Sequence, residues 1–302
     1  MRPVRRPATG AGGRRGAEGV ALLRAGGEPV RALDRAALDV TDGDAVALAL
    51  AGADVVVSCA AYTAVDAAEA DEATAFAVNA VGAQHVARAA VRHGARLVHV
   101  STDYVFDGGP AAVGVPYAED APLAPRSAYG RTKAAGEWAV RTEHPDALVV
   151  RTAWLYGAHG ACFPRTIARV ARERGALEVV DDQVGQPTWA RDLADLVVRL
   201  VRSPAPGGVY HGTAQGRASW WDLAREVVAA AGLDPAIVRP VPSAASARPA
   251  PRPAWSVLGH EALRRAGVEP GGDWRERGVV AAADVLAGAS APGAHASSSD
   301  SR

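Results

Sequence analysis

The chain has 302 residues, 49% of them apolar and 22% charged, with 33 basic side chains set against 33 acidic ones. That is the make-up of a water-soluble globular protein, long enough for one large α/β domain or for one with a smaller lobe. The even charge argues against a nucleic-acid partner and against an acidic solvating tail, and no apolar run is long enough for a membrane span. Cys59 and Cys162 lie far apart without metal-ligand spacing, and read as buried thiols suited to a reducing cytoplasm. The basic segment 1–7 lacks the apolar stretch of a signal peptide.

The first candidate strand, 4–9, runs into Gly10, Gly13 and Gly16, a G-x-x-G-x-x-G turn around Arg14 and Arg15. Glycines at such a turn let the backbone approach a pyrophosphate, and the next helix offers unpaired N–H groups. This strand conflicts with its place. Pro7 cannot donate to a central ladder, and Arg5 and Arg6 put one charge into a core. Either the strand is distorted, or the natural N-terminal sequence differs from this one. The next strand, 29–34, ends on Asp34, at the spacing where an acid meets the adenosine ribose hydroxyls. Asp34 favours the free 2′-hydroxyl of NADH, while the adjacent Arg35 suits the 2′-phosphate of NADPH, so both cofactors stay open.

Further strands are expected at 55–61, 97–101, 148–152 and 177–181, near-continuous in Val, Leu and Ala as strands buried on both faces should be. Helical periodicity marks 68–93, with Phe76, Val78, Val81, Val86 and Ala90 apolar, and again 126–141. The alternation predicts a Rossmann-type doubly wound parallel sheet. Residues 1–156 make up most of the dinucleotide-binding domain, with strands returning from 177–211, among them 208–211. Residues 157–287 form a smaller α/β substrate lobe, and the Ala/Ser/Gly-rich segment 288–302 reads as a disordered tail.

Chemistry concentrates at two places. Tyr129 and Lys133 stand four apart, on one face of the helix 126–141. Ser101, Thr102 and Asp103 follow the strand 97–101, at the strand end where ligands of open α/β sheets gather. A phenol titrates near ~10 and is a poor acid at neutral pH, but a nearby ammonium favours its phenolate. Thr102 is placed to donate to a carbonyl oxygen that gains negative charge, and Asp103 to adjust the proton affinity there.

These segments, together with Ala60–Asp66, Arg151–Gly157, Asp182–Thr188 and Arg252–Leu258, resemble the dTDP-4-dehydrorhamnose reductase family of the extended short-chain dehydrogenase/reductases. The resemblance covers about residues 9–287. It implies NADPH- or NADH-dependent reduction of the C4 keto group of a dTDP-linked deoxysugar, with Tyr129 the proton donor and Lys133 tuning it and holding the nicotinamide ribose. It implies sugar contacts from Thr102, Asp103 and Trp154. The dinucleotide would lie against Gly10, Gly13, Arg14, Arg15, Gly16, Asp34, Asp39, Val40, Ala61, Tyr62 and Thr63, and Asn79 would support the site. Relatives are usually homodimers and some bind Mg2+, though no metal-ligand cluster in this sequence demands it. Two other readings stay open: a related 4-ketosugar reductase or epimerase, and a non-catalytic regulatory subunit like that of methionine adenosyltransferase.

Overall fold

The computed structural model describes residues 6–9, 20–21, 30–109, 112–245 and 247–287. The turn bearing Gly10, Gly13, Arg14, Arg15 and Gly16, and the segment 288–302, lie outside the described residues. The strands are β1 (Arg6–Thr9), β2 (Val30–Leu33), β3 (Val55–Ser58), β4 (Arg96–Thr102), β5 (Leu148–Thr152), β6 (Leu177–Val180), β7 (Gly208–His211) and β8 (Val238–Val241), besides several two-residue pairings. Six of them form one parallel sheet in the order β7-β5-β4-β3-β1-β2.

β1 forms despite Pro7. It pairs with β2 from Arg6 to Thr9, but on the β3 side only Ala8 and Thr9 are in register. That second ladder begins just past the residue that has no N–H to donate. Along β4 and β5 successive side chains take opposite faces. Leu97 and Val149 join the core built with Val46, Val86 and Val140, whereas Val98, Leu148 and Val150 join Leu193, Leu196 and Leu200. Helices α1 (Gly43–Ala49), α2 (Glu72–Phe76), α3 (Gly82–Arg92) and α4 (Ala128–Glu143) lie on the first side, while α5 (Phe163–Arg174) belongs to a second lobe and α6 (Ala190–Arg202) covers the opposite face.

Two expectations change. The segment 177–181 does not return to the main sheet; β6 pairs in parallel with β8. Its Leu177 and Val179 pack with Val238 of β8 and with Ile167, Val227 and Trp274 of α5, α7 (Trp220–Ala230) and α8 (Trp274–Leu286). A four-residue apolar run suits either sheet, and the choice falls to a partner strand far downstream. The helix expected over 68–93 is also interrupted. The Asp71 side chain accepts from Thr74 N at 3.2 Å and starts α2 afresh, and a π-helical turn, Ala77–Val81, links α2 to α3. In this register Phe76 is 45% exposed rather than packed.

Helix α4 starts where the Ser127 hydroxyl accepts from Gly130 N. It lies backbone to backbone on its neighbours. A Cβ on Gly130 would stand 2.2 Å from the Tyr104 carbonyl oxygen, and one on Gly136 2.1 Å from that of Asn79. Replacing Gly with Ala in an open helix interior stabilises by up to about 1 kcal/mol. Gly136→Ala is expected to do the opposite, lowering stability by about 1–3 kcal/mol in a urea titration, because the helix must move off the π turn.

Buried polar groups tie the sheet to the second lobe. Arg151 on β5 donates to both Glu137 carboxylate oxygens and to the Glu119 carbonyl. His211 shares a 2.8 Å hydrogen bond with Gly259 O, and His260 Nε2 lies 2.9 Å from Thr213 Oγ1. Burial first, then neighbouring arginines, holds His211 down at about 3 and His260 at about 4. Both stay neutral in the native protein at pH values where the unfolded chain, titrating near ~6.5, takes up protons. Their stabilising contribution is complete above about pH 6.5 and is lost as pH falls towards 3–4. Stability should therefore drop by about 2–4 kcal/mol between about pH 7 and pH 5, and the slope should flatten in His211→Gln.

Candidate active site

Parallel strands end on one edge of the sheet, and there the chain forms a cleft of about 830 Å3, within the range of small-molecule sites. Its walls come from successive strand ends. Asp34, Asp39 and Val40 follow β2; Ala61, Tyr62 and Thr63 follow β3; Thr102, Asp103 and Tyr104 close β4; Trp154 and Leu155 follow β5; and Tyr129 enters from α4. Residues spread across most of the sheet's sequence thus meet at the switch side of a doubly wound fold.

Tyr129 is almost fully buried, and its ring meets Tyr104 edge to face at 5.6 Å. Asn79 fixes the local backbone on both sides. Its Oδ1 accepts from Tyr62 N at 2.8 Å, while its Nδ2 donates to Tyr62 O and to Thr132 Oγ1. Thr132 in turn donates to the Tyr129 carbonyl at 2.9 Å. The π turn matters here because it sets Asn79 inward, between the end of β3 and α4.

Lys133 lies one turn of α4 beyond Tyr129. It is fully buried, donates from Nζ to the Val100 carbonyl at 2.8 Å, and lies 3.4 Å from His99 Nε2. Its place is beneath the cleft wall, against β4. The Thr102 hydroxyl donates to Asp103 Oδ1 at 3.0 Å and accepts from Tyr104 N at 3.3 Å. Burial, and then the Asp103 carboxylate, pushes the Tyr104 phenol well above the usual tyrosine range, so it remains protonated. The nearby Arg252 guanidinium pulls the phenol weakly the other way, and its Nη2 donates to Asp66 Oδ2 at 2.7 Å. That tie brings the segment around Arg252 back over the β3 end. Sequence reading missed it, because the two residues are far apart in the chain and share no pattern.

At the far end of the cleft Asp34 is exposed, yet its carboxylate is anchored. Oδ1 accepts from Ala36 N and Ala37 N at 3.0 and 2.9 Å. The Asp39 carboxyl is held below the usual range by hydrogen bonds from Thr41 N and Thr41 Oγ1. Val40 is buried between these acids and α3. A fixed carboxylate beside an apolar slot, at the end of β2, fits the adenosine half of a dinucleotide. Among the described residues, no group of three or more His, Cys, Asp or Glu side chains is placed to hold a metal ion. No helix among them is long and apolar enough to cross a membrane.

Trp154 lines the cleft at the end of β5 and lies flat on Trp220, with ring centroids 3.6 Å apart and planes 5° from parallel. Trp220 was not legible as a site residue. Its sequence neighbourhood reads only as the capped start of a helix.

The chain matches the family model for the RmlD substrate binding domain over residues 7–286. It is 51% identical over 284 residues to a probable dTDP-4,6-dihydroxy-2-methyloxan-3-one 4-ketoreductase of Streptomyces antibioticus, covering 92% of this chain and 95% of that one. It is 48% identical to a dTDP-4-dehydrorhamnose reductase of Streptomyces griseus, over 91% and 93% of the two chains. A crystal structure of dTDP-4-dehydrorhamnose reductase from Bacillus anthracis in complex with NADP superposes with a TM-score of 0.85 at 34% identity, covering 91% and 96%. A strand-end cleft with Tyr129 and Thr102 on one wall, in a chain matched almost end to end, places this protein in the dTDP-4-dehydrorhamnose reductase (RmlD) family.

Proposed function

We propose that this protein is an NAD(P)H-dependent oxidoreductase that reduces the C4 keto group of dTDP-4-dehydro-L-rhamnose to give dTDP-L-rhamnose. The observation that carries the reading is the convergence of the Tyr129 and Thr102 side chains on one wall of a cleft whose other end holds an anchored Asp34. A nicotinamide dinucleotide, when bound, supplies the hydride that adds to the sugar's C4. In this reading Asp34, Asp39 and Val40, with Ala61, Tyr62 and Thr63, hold the dinucleotide along the β2 and β3 ends, together with Gly10, Gly13, Arg14, Arg15 and Gly16.

The chain's own part is to deliver one proton and to stabilise charge. As the carbonyl carbon accepts hydride, its oxygen gains negative charge, and the Tyr129 O–H transfers its proton there. Thr102 turns its hydroxyl from Asp103 to the same oxygen, with Asp103 keeping a sugar contact. Lys133 is fixed one helical turn beyond Tyr129, and its ammonium offsets the negative charge left on the Tyr129 oxygen. Burial of Tyr129 and Thr102 keeps bulk water from competing for that proton.

Trp154 provides the wall for the sugar. Residues 1–156 would form most of the dinucleotide-binding part and 157–287 most of the substrate lobe. A cytoplasmic setting suits two cysteines outside any disulfide and a nucleotide-linked substrate. One observation favours a second reading within the same chemistry: the Streptomyces antibioticus relative is named for a different 4-ketosugar.

The test is oxidation of NADH or NADPH followed at the nicotinamide absorbance, with each ketosugar offered separately. Turnover should require the sugar, and Tyr129→Phe should lower kcat by about 100-fold or more while leaving dinucleotide affinity in place. Oxidation with only the alternative ketosugar would move the assignment to the second reading. Because two backbone N–H groups hold the Asp34 carboxylate in place, Asp34→Ala is expected to raise the NADPH:NADH ratio of kcat/KM by about tenfold, a ratio read in the same assay.

A further inference from the structure

Trp154 is the only non-glycine residue with positive φ among the described residues, at 47°. A bulky side chain in the left-handed region is disfavoured by its own Cβ and persists only where its surroundings hold it. Here it occurs at the cleft wall, two residues after a run of ladder pairing between β4 and β5. The regular strand ends at Thr152, and by Trp154 the chain has turned.

Three contacts hold that turn. The indole lies flat on Trp220 at 3.6 Å between centroids, and Phe163 backs Trp220 at 4.6 Å. Gly185 passes directly beside the indole, where a Cβ would stand 2.6 Å from Cε2 and 2.7 Å from Nε1. The Trp154 carbonyl accepts from Thr188 N at 3.3 Å. All these partners come from segments after β5. Trp220 itself is the first residue of α7, fixed by a reciprocal cap in which Ser219 N donates to Asp222 Oδ2 and Asp222 N to Ser219 Oγ. The direction of the indole is therefore decided from the second lobe, and the strand that carries Trp154 does not by itself point it there.

We propose that Trp220 is a positioning residue for substrate: it holds Trp154 in its left-handed conformation, so that the cleft-facing surface of Trp154 meets the C–H face of the deoxysugar ring. An indole fixed in one plane suits a ring whose face carries hydrogens and few hydroxyls. Without the stack, Trp154 relaxes towards an ordinary strand-end conformation and the wall is lost. The sugar rests on the function proposed above; the brace between Trp220 and Trp154 does not.

Trp220→Leu and Trp220→Phe separate the two. In Trp220→Leu, calorimetric affinity for dTDP-L-rhamnose should fall about tenfold while affinity for NADH stays within about twofold. Trp220→Phe, which keeps a ring to stack, should lie between it and the unaltered protein. The double variant Trp154→Leu/Trp220→Leu should bind the sugar nucleotide no more weakly than Trp154→Leu alone. Unchanged sugar-nucleotide affinity, additive losses, or an equal loss of NADH affinity overturns the proposal. Should Trp220→Leu not fold, Trp220→Phe decides in the same directions. Hydrogen exchange over residues 152–156 reads the brace without any ligand. Faster exchange in the variants supports it, and unchanged protection overturns it. An unaltered protein that binds NADH but no dTDP-sugar would overturn the function proposed above and leave the exchange result to judge the brace.

Discussion

Helix α4 carries Tyr129, the proton donor of the proposed reaction, and it reaches the cleft only by lying on backbone. Gly136 faces the Asn79 carbonyl and Gly130 the Tyr104 carbonyl, each so close that a single methyl group would intrude. This approach brings Thr132 within reach of Asn79, and Asn79 within reach of Tyr62. Three cleft walls, from the β3 end, the β4 end and α4, are thereby locked by short hydrogen bonds and direct contact. A longer interaxial distance would need side chains between the elements, and their rotamer freedom would loosen the geometry. The π turn belongs to the same arrangement: one extra residue in the helix sets Asn79 inward and leaves Phe76 in solvent.

Charge is treated differently at the two depths of the site. Near solvent, Asp34 and Asp39 accept backbone N–H groups, and those from Thr41 hold the Asp39 carboxyl below the usual range. Deep in the structure, Arg151 and Glu137 are both almost fully buried and satisfy each other, with the Glu119 carbonyl taking a further N–H. Such a pair adds little net stability over an apolar one, but removing one partner leaves an uncompensated charge. With Gln186, Thr213 and His260, the pair makes a polar seam between the sheet and the segments after it. Apolar packing alone tolerates small slippage; hydrogen-bonded groups in a low-dielectric seam tolerate much less. The seam thus sets the second lobe against the strand ends, and the stack of Trp220 on Trp154 depends on that setting.

Much of this was legible in the chain. Strands β3, β4, β5 and β7 stand where apolar runs place them, since a short run of Val and Leu buried on both faces is a local signal. α4 follows from its helical period and begins within two residues of the expected start, at Ser127. Tyr129, Thr102, Asp34 and Trp154 all reach the cleft, because strand ends of a doubly wound sheet converge on one edge whatever the details. The conflict at Pro7 was real in composition, yet β1 forms, with its second ladder starting beyond the proline.

What local pattern could not carry was the choice among distant partners. Leu177–Val180 has the same alternation whether it joins the large sheet or pairs with Val238–Val241, and only the packing of α5 and α7 around it settles the matter. The spacing of Tyr129 and Lys133 puts them on one helix face, but the depth of α4 against β4 decides that Lys133 ends on the Val100 carbonyl beneath the wall. Trp220, and the tie from Arg252 to Asp66, have no sequence signature, because each is a meeting of side chains from separate segments. The sequence by itself determined the periodicities, the turns and the reactive side chains, all properties of neighbours along the chain. Tertiary structure decided how deep each group sits and what it touches, since burial and hydrogen bonding depend on contacts between residues that the chain keeps far apart.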